Sequence, residues 1–324
     1  MKISYVDFWL ETRNAPLSPA EIHGDGWSAI GTSRELRVIH EGVGLFHVTS
    51  LEKIIGEKIH ITDPRDADVI VCSGFGNVRY FFPHKIKIFL CYEATFPIDL
   101  PNSVCFSSSL EHFYLPIYLC YHDFDLYVFL LQGGRSLDEL AFQQKKDCLS
   151  IISNPNGEFR NRFLEQLMEH FSVDNYGKYA NNTRDEVIDS SCWYDPRIST
   201  VIQRYKFMIC MENCSMRGYH TEKIMHGFRN NVIPIYYGDP ECQNIFNPKA
   251  YINVNELGVE KSIEKIRFLS QNLKEYNEML SEPKIHSGSI LMSDSYHKFM
   301  SRAYFEQTIR TIFEHAGKDF FLHQ

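Results

Sequence analysis

Several patterns that would define a class of protein are missing from this 324-residue sequence. Its 9 cysteines form no CxxC pair and its 14 histidines show no HxxxH spacing, so a zinc site is not indicated. No apolar run approaches the roughly 20 residues that cross a bilayer. The cysteines are scattered and odd in number, which is typical of reduced thiols and predicts a cytoplasmic location.

An excess of positive charge is also missing. Lys and Arg number 33 against 41 for Asp and Glu, which gives a net charge of −8. A general nucleic-acid binder would carry a basic surface, so that class is excluded. An anionic ligand held by two or three placed cations remains compatible with this balance. The first nine residues are too short and too polar for the apolar part of a secretory leader, so we expect none.

The length and the alternation of patterns predict two α/β units. At about 150 residues per domain, the chain has room for two. Short β-branched or aromatic runs such as Ile86 to Cys91 predict strands, and the amphipathic stretch Glu158 to Phe171 predicts a helix. Strands that alternate with helices are typical of parallel sheets. The charged stretch Arg135 to Asp147 predicts the boundary between the units.

Residues 204–240 have the pattern strand, polar loop, helix, strand, turn. The loop that starts at Glu212 leaves the carboxyl end of a strand, where open α/β sheets bind ligands. Glu222 and Lys223 then fall in the first turn of the helix, and a helix N-terminus beside a lysine suits a phosphate group. The alternative is that Thr221 caps the helix and that Glu222 and Lys223 form a surface charge pair.

Three motifs in this segment carry a resemblance to a known family. They are Tyr-Lys-Phe-x-x-x-x-Glu-Asn at 205–213, Gly-Tyr-x-Thr-Glu-Lys at 218–223 and Ile-Pro-Ile-Tyr-x-Gly-x-Pro at 233–240. Together they resemble the donor-binding signature of the α1,3/4-fucosyltransferases, in particular the soluble bacterial members. Ser153-Asn154-Pro155-Asn156 and the run from Ile88 to Glu93 resemble further segments of the same family.

The resemblance implies the GT-B type of α/β fold, two Rossmann-like domains that face an interdomain cleft. Residues 1–145 would form the N-terminal acceptor-binding domain and residues 146–300 the C-terminal domain that binds GDP-fucose. Residues 301–324 would form a C-terminal helix, with packing back on the N-terminal domain left open. The implied activity is inverting transfer of L-fucose from GDP-fucose to the 3-hydroxyl, or the 4-hydroxyl, of N-acetylglucosamine or glucose in a β-galactoside. Such products include Lewis antigens.

The resemblance also implies roles for single residues. Glu93, at the end of an apolar strand, would be the catalytic base, because partial burial would raise its pKa toward neutrality. The alternative for Glu93 is a surface carboxylate in a strand-to-loop turn. Arg160 and Lys223 would hold the diphosphate, and the alternative for Arg160 is a solvated helix face. Asn213, Tyr219 and Glu222 would bind hydroxyls of the fucose or ribose, with Glu222 also assigned to catalysis.

No metal ion or other cofactor is expected to be required, although stimulation by a divalent metal is left open. The Asp-x-Asp triplet at Asp123 to Asp125 could bind such an ion, or could be a solvated turn. The expected partners are GDP-fucose and an acceptor of the N-acetyllactosamine or lactose type, with no nucleic acid. Contact with a membrane surface is left open. Two alternatives remain: a GT-B transferase that uses another nucleotide sugar, and a catalytically silent protein that binds sugar nucleotides.

Overall fold

The computed structural model describes residues 1–7, 44–74, 78–92, 100–107, 112–115, 129–183, 187–188, 196–289 and 302–316. The chain divides into two compact units. The first unit comprises residues 1–124 and 297–324, and the second unit comprises residues 125–296. Each unit contains one parallel sheet with helices, so the predicted α/β class with two Rossmann-like domains is confirmed. The assignment of acceptor and donor binding to the two domains stays a prediction.

The first unit has a six-stranded sheet with the strand order β2-β1-β3-β4-β5-β6, in which every pair is parallel. Its strands are β1 (Lys2–Val6), β2 (His60–Ile61), β3 (Val69–Ser73), β4 (Ile86–Cys91), β5 (Ser103–Ser107) and β6 (Phe113–Tyr114). All residues of β3 and β4 are buried, as expected for central strands of a parallel sheet covered on both faces.

Two helices of the first unit pack on each other beside this sheet. They are α1 (Val48–Ile55) and α8 (Arg302–Glu314), and two 3-10 turns lie at Gly44–Phe46 and Val78–Phe81. The rings of Phe46, Phe106 and Phe305 meet edge to face, with centroids 4.9 to 6.1 Å apart. The apolar stripe of α8 that begins with Phe305 is therefore its buried face.

The second unit has a five-stranded parallel sheet with the order β11-β10-β9-β7-β8. Its strands are β7 (Lys146–Ser150), β8 (Val173–Asn175), β9 (Tyr205–Met211), β10 (Ile233–Tyr237) and β11 (Ile252–Asn253). Its helices are α2 (Glu139–Gln144), α3 (Glu158–Met168), α4 (Pro196–Ile202), α5 (Glu222–Arg229), α6 (Val254–Gln271) and α7 (Leu273–Ser281), with a 3-10 turn at Cys242–Asn244. The central strand β9 is buried along its whole length.

The sequence of residues 259–273 has a pattern that also predicts a helix, and the observed helix has different bounds. Helix α6 begins earlier, at Val254, and bends at Gly258, whose φ of 73° lies outside the helical region. It ends because Asn272 is extended, with φ −124° and ψ 90°, and α7 starts at the next residue. Within the described part of the chain, no helix is both long enough and apolar enough to cross a membrane.

Candidate active site

The second unit gathers charged side chains where β9 ends. Glu212 follows β9 directly, and its backbone N–H donates to the carbonyl of Tyr237 at 2.8 Å, which extends the pairing of β9 with β10 by one residue. The Glu212 side chain is fully buried. The loop that follows returns to this point at Thr221, immediately before α5. A buried carboxylate therefore lies at the carboxyl edge of the sheet.

Glu212 holds the start of α5. Its Oε1 accepts hydrogen bonds from the backbone N–H and the hydroxyl of Thr221, both at 2.8 Å. Its Oε2 lies 2.7 Å from Nζ of Lys223, which also donates to the Thr221 hydroxyl at 2.8 Å. A buried carboxylate is costly unless hydrogen bonds and an opposite charge compensate it, and both are present here.

These contacts decide against the surface-pair alternative for Glu222 and Lys223. Thr221 occupies the N-cap position of α5, but its side chain makes no capping hydrogen bond; its hydroxyl donates to Glu212 and accepts from Lys223. Nζ of Lys223 lies 3.8 Å from Glu222 and 2.7 Å from the interior carboxylate. The Lys223 side chain remains 29% exposed, so it is not closed off inside the fold, and Glu212 binds its ammonium group from the interior.

The two residues at the start of α5 are charged at neutral pH. Burial alone would lower the pKa of Lys223, but the carboxylates of Glu212 and Glu222 raise this pKa above its ordinary value. Burial alone would raise the pKa of Glu222, but Lys223 and His226 bring this pKa below its ordinary value. An ammonium and a carboxylate are thus presented side by side at a helix N-terminus.

Arg160 lies in the first turn of α3 and is only 3% exposed, so the solvated-face alternative is wrong. Its guanidinium donates to the Asn213 side chain at 2.5 Å and to the Asn154 carbonyl at 2.6 Å. A Cβ at Gly157 would lie 2.8 Å from Nη2 of Arg160, so this glycine provides the space for the guanidinium. Burial lowers the pKa of Arg160, and the charge of Glu212 opposes that effect.

The two predicted diphosphate cations therefore lie at one edge of one sheet. Arg160 binds Asn213, Lys223 binds Glu212, and residues 212 and 213 are consecutive. Residues 93–99 lie outside the described residues, so the role of Glu93 stays a prediction; the strand before it, β4, ends at Cys91.

The loop between β9 and α5 is tied to the turn after β10. Tyr219 is buried, and its backbone N–H donates to the Met216 carbonyl at 3.1 Å. His220 is fully buried, with Nδ1 3.3 Å from the Asp239 carboxylate. Burial would raise the pKa of Asp239, but the hydrogen bond with His220 and backbone donors lower it. This pair connects the two segments that surround Glu212.

Sequence reasoning assigned no role to Glu212. Its signal was an acidic residue directly after the apolar run Phe207–Met211, where a buried charge needs a partner. Gly238 is connected with it, because a Cβ there would lie 2.6 Å from Cγ of Glu212. The close approach of residues 212 and 238 cannot be read from the sequence, because it depends on how β9 and β10 align.

The triplet at Asp123 to Asp125 lies outside the described residues. Among the residues that are described, no three His, Cys, Asp or Glu side chains cluster in a way that could hold a metal ion. The requirement for a metal stays a prediction.

Residues 141–289, which contain all of these described contacts, match the family model for glycosyltransferase family 10 (fucosyltransferase), C-terminal. The chain is similar to the α-(1,3)-fucosyltransferase FucT of Helicobacter pylori, 31% identical over 138 residues, 42% of this chain and 27% of that protein. It is 30% identical over 179 residues to the α-(1,3)-fucosyltransferase B of Drosophila melanogaster, 53% of this chain and 38% of that protein. A GDP-fucose protein O-fucosyltransferase 3 of Xenopus tropicalis is 30% identical over 172 residues, 48% of this chain and 36% of that protein. The matches thus span less than two fifths of these relatives' own lengths.

Solved structures resemble the whole chain in fold. A crystal structure of an α1,3-fucosyltransferase with GDP has a TM-score of 0.66 at 18% identity, covering 100% of this chain and 92% of that one. One with GDP-fucose has a TM-score of 0.65 at 18% identity, with the same coverage. This likeness confirms the GT-B type of fold, and the family match confirms the predicted resemblance to the α1,3/4-fucosyltransferases.

Proposed function

We propose that this chain, whose residues 141–289 carry a C-terminal domain of the fucosyltransferase family 10, transfers L-fucose from GDP-fucose to a glycan. The acceptor hydroxyl is the 3-hydroxyl of N-acetylglucosamine or glucose in a β-galactoside, with the 4-hydroxyl as the second linkage. The transfer inverts the configuration at the anomeric carbon. A cytoplasmic location is part of the same proposal.

One observation carries this proposal: Arg160 and Lys223 lie around the Glu212–Asn213 dipeptide, beside the N-terminus of α5. When the bond from fucose to GDP breaks, negative charge develops on the diphosphate. Two positioned cations and the free backbone N–H groups of a helix start stabilise charge at that place. In this proposal these protein groups make an essential metal ion unnecessary.

The remaining assignments complete a single-displacement reaction. Glu222, charged and adjacent to Lys223, accepts hydrogen bonds from hydroxyls of the donor and favours positive charge at the anomeric carbon. Asn213 and Tyr219 contact the fucose or the ribose. Glu93 removes the proton from the attacking hydroxyl on the face opposite the departing GDP, and such a base contributes roughly 10²–10⁴-fold in rate.

A second candidate acceptor is a hydroxyl group of a protein. The observation that favours it is the 30% identity over 172 residues to the protein O-fucosyltransferase 3 of Xenopus tropicalis. The family model that this chain matches covers residues 141–289, which carry the donor-site cluster, so the comparisons support the donor more strongly than the acceptor.

The test is incubation of the purified protein with GDP-fucose and each acceptor: lactose, N-acetyllactosamine, lacto-N-biose and a folded protein substrate. GDP release is measured, and NMR assigns the linkage and anomeric configuration. We expect an α1,3-linked product on a β-galactoside, with activity retained in EDTA. Turnover with another nucleotide sugar alone would support the other-donor alternative. Saturable GDP binding without transfer to any acceptor would indicate a silent binding protein.

A further inference from the structure

Glu212 presents an electrostatic problem at the proposed donor site. A carboxylate near a bound diphosphate repels it, and the repulsion is strong where water is excluded. Glu212 is nevertheless fully buried between the end of β9 and the start of α5. The free-energy cost of this buried carboxylate must be offset by the contacts that it makes with its neighbours.

Its neighbours are the backbone and side chain that begin α5. The hydrogen bonds from Thr221 tie the helix start to the strand end, and the ion pair with Lys223 directs the ammonium group. An ammonium group has three N–H donors at roughly tetrahedral angles to one another. Two of them point to Glu212 and to the Thr221 hydroxyl, so the third points away from both. The orientation of Lys223 therefore depends on Glu212.

Glu212 also acts on the second cation. Its negative charge opposes the effect of burial on Arg160, whose guanidinium is hydrogen-bonded to the adjacent Asn213. One interior carboxylate thus interacts with both cations that the proposed function assigns to the diphosphate. Of the two carboxylates near Lys223, Glu212 is the nearer. Its Oε2 lies 2.7 Å from Nζ, whereas Oε1 of Glu222 lies 3.8 Å from Nζ.

We propose that Glu212 is the positioning residue of the donor site, which holds the Lys223 ammonium charged and directed at the diphosphate without touching the donor itself. This inference rests on the proposed function, because it assigns the ligand of Lys223 to a nucleoside diphosphate.

The test is GDP binding by calorimetry from pH 7 to pH 9.5 in the full chain, for the parent and for Glu212→Gln. The amide has the size of the carboxylate but no charge. We expect at least a tenfold loss of GDP affinity at pH 7.5. We also expect a further loss as the pH rises, because Lys223 without its carboxylate partner releases its proton more easily. The parent should show a flat profile over this range.

A double-mutant cycle separates positioning from general damage. In a Lys223→Met background there is no ammonium group to position, so adding Glu212→Gln should change GDP affinity less than twofold. The matched control is Glu241→Gln, which removes a negative charge from the exposed pair with Arg217 and should leave the affinity within twofold of the parent. If Glu212→Gln does not fold, Thr221→Val removes the hydroxyl that both groups share and should weaken GDP binding three- to tenfold.

The outcomes distinguish the inference from the proposed function. A parent that binds no GDP would contradict the proposed function and, with it, the ligand assigned here. A parent that binds GDP, with Glu212→Gln equal or tighter and equally flat with pH, would overturn the positioning role alone. Losses that add fully in the double variant would also overturn it, because Glu212 would then act independently of Lys223.

Discussion

The two units each bury an ion pair at the carboxyl end of a strand, and the two pairs are built differently. In the first unit, Asp7 follows β1 and accepts hydrogen bonds from the backbone and guanidinium of Arg79, at 2.9 and 3.2 Å. Both side chains are closed off, at 1% and 4% exposed. In the second unit, the Glu212 carboxylate is closed off but the Lys223 side chain remains 29% exposed.

The surroundings explain this difference. The Arg79 guanidinium lies against the rings of Tyr80 and Phe89, 4.5 and 5.6 Å from their centroids. Its charge therefore interacts with groups inside the fold. Asp7 has a φ of 61°, a strained conformation for a residue other than glycine. A sealed pair stabilises one conformation of a strand end, whereas a pair with one open side presents a cation to a ligand. The predictions below test that contrast.

The largest effect is expected for Arg79→Met, which leaves the Asp7 carboxylate buried without its cation. Breaking a buried pair in this way costs about 3–5 kcal/mol, so the free energy of unfolding measured in urea should fall by that amount. GDP affinity of the folded protein should be unchanged. The control is Arg65→Met, in the exposed pair with Asp63, with an expected loss below about 1 kcal/mol. Equal losses of unfolding free energy in the two variants would show that the buried pair is no more important for stability than the exposed pair.

For the open pair, Lys223→Met should affect function more than stability. We expect kcat/KM for GDP-fucose to fall by about 10²–10³, as when one group that stabilises developing charge is removed. The free energy of unfolding should fall less than in Arg79→Met. Lys274→Met, in an exposed helix pair, is the control and should keep parental activity. Loss of stability without loss of turnover would show that both pairs are structural.

Gly238→Ala tests the space that the open pair needs. The added Cβ would lie 2.6 Å from both Cγ of Glu212 and the Tyr236 hydroxyl, so one of these groups must shift. Overpacking of this kind costs about 1–3 kcal/mol in unfolding free energy. We expect GDP affinity, measured by calorimetry, to fall together with stability. A variant of parental stability with reduced GDP affinity would show that this space is needed for binding and not for folding. A variant with neither change would show that the turn shifts without cost.

The smallest effect is expected for Asp239→Asn, and it depends on pH. The folded pKa of Asp239 lies below its ordinary value of 3.8, so its ionisation stabilises the fold above pH 3.8 and this contribution disappears as the pH falls through the folded pKa. The variant should lose about 1–2 kcal/mol at pH 7, and its unfolding free energy should converge with that of the parent in acid. A constant difference down to pH 2 would contradict the assigned ionisation.

Much of the fold could be predicted because its central strands are mostly apolar. The predicted strand from Ile86 to Cys91 has those bounds in the structure, and all six residues are buried. Strands β2 and β6 have two residues each, too few to form a sequence pattern, and were missed. Strand β5, Ser103–Ser107, was also missed because polar residues begin and end it and three of its five positions are only half-buried. Pairing with a neighbour, rather than local sequence, creates these strands.

The candidate site was predictable in its residue types but not in its contacts. The position of Lys223 at a helix start followed from the motif and the helical pattern. The burial of Arg160 did not, because its partner carbonyl at Asn154 lies in an irregular loop whose path no periodicity describes. The ion pair of Lys223 with Glu212 joins residues 11 apart in the sequence, on opposite sides of a loop.

The seven residues from Asn154 to Arg160 supply a guanidinium, a carbonyl that orients it and a glycine that leaves room for it. They form a short cassette that can be exchanged as a block. Chimeras with related transferases should therefore be joined before Asn154 and after Asn161, since a junction inside the block would separate the guanidinium from its cradle. Asn213, which follows the neighbouring strand β9, has to be matched separately.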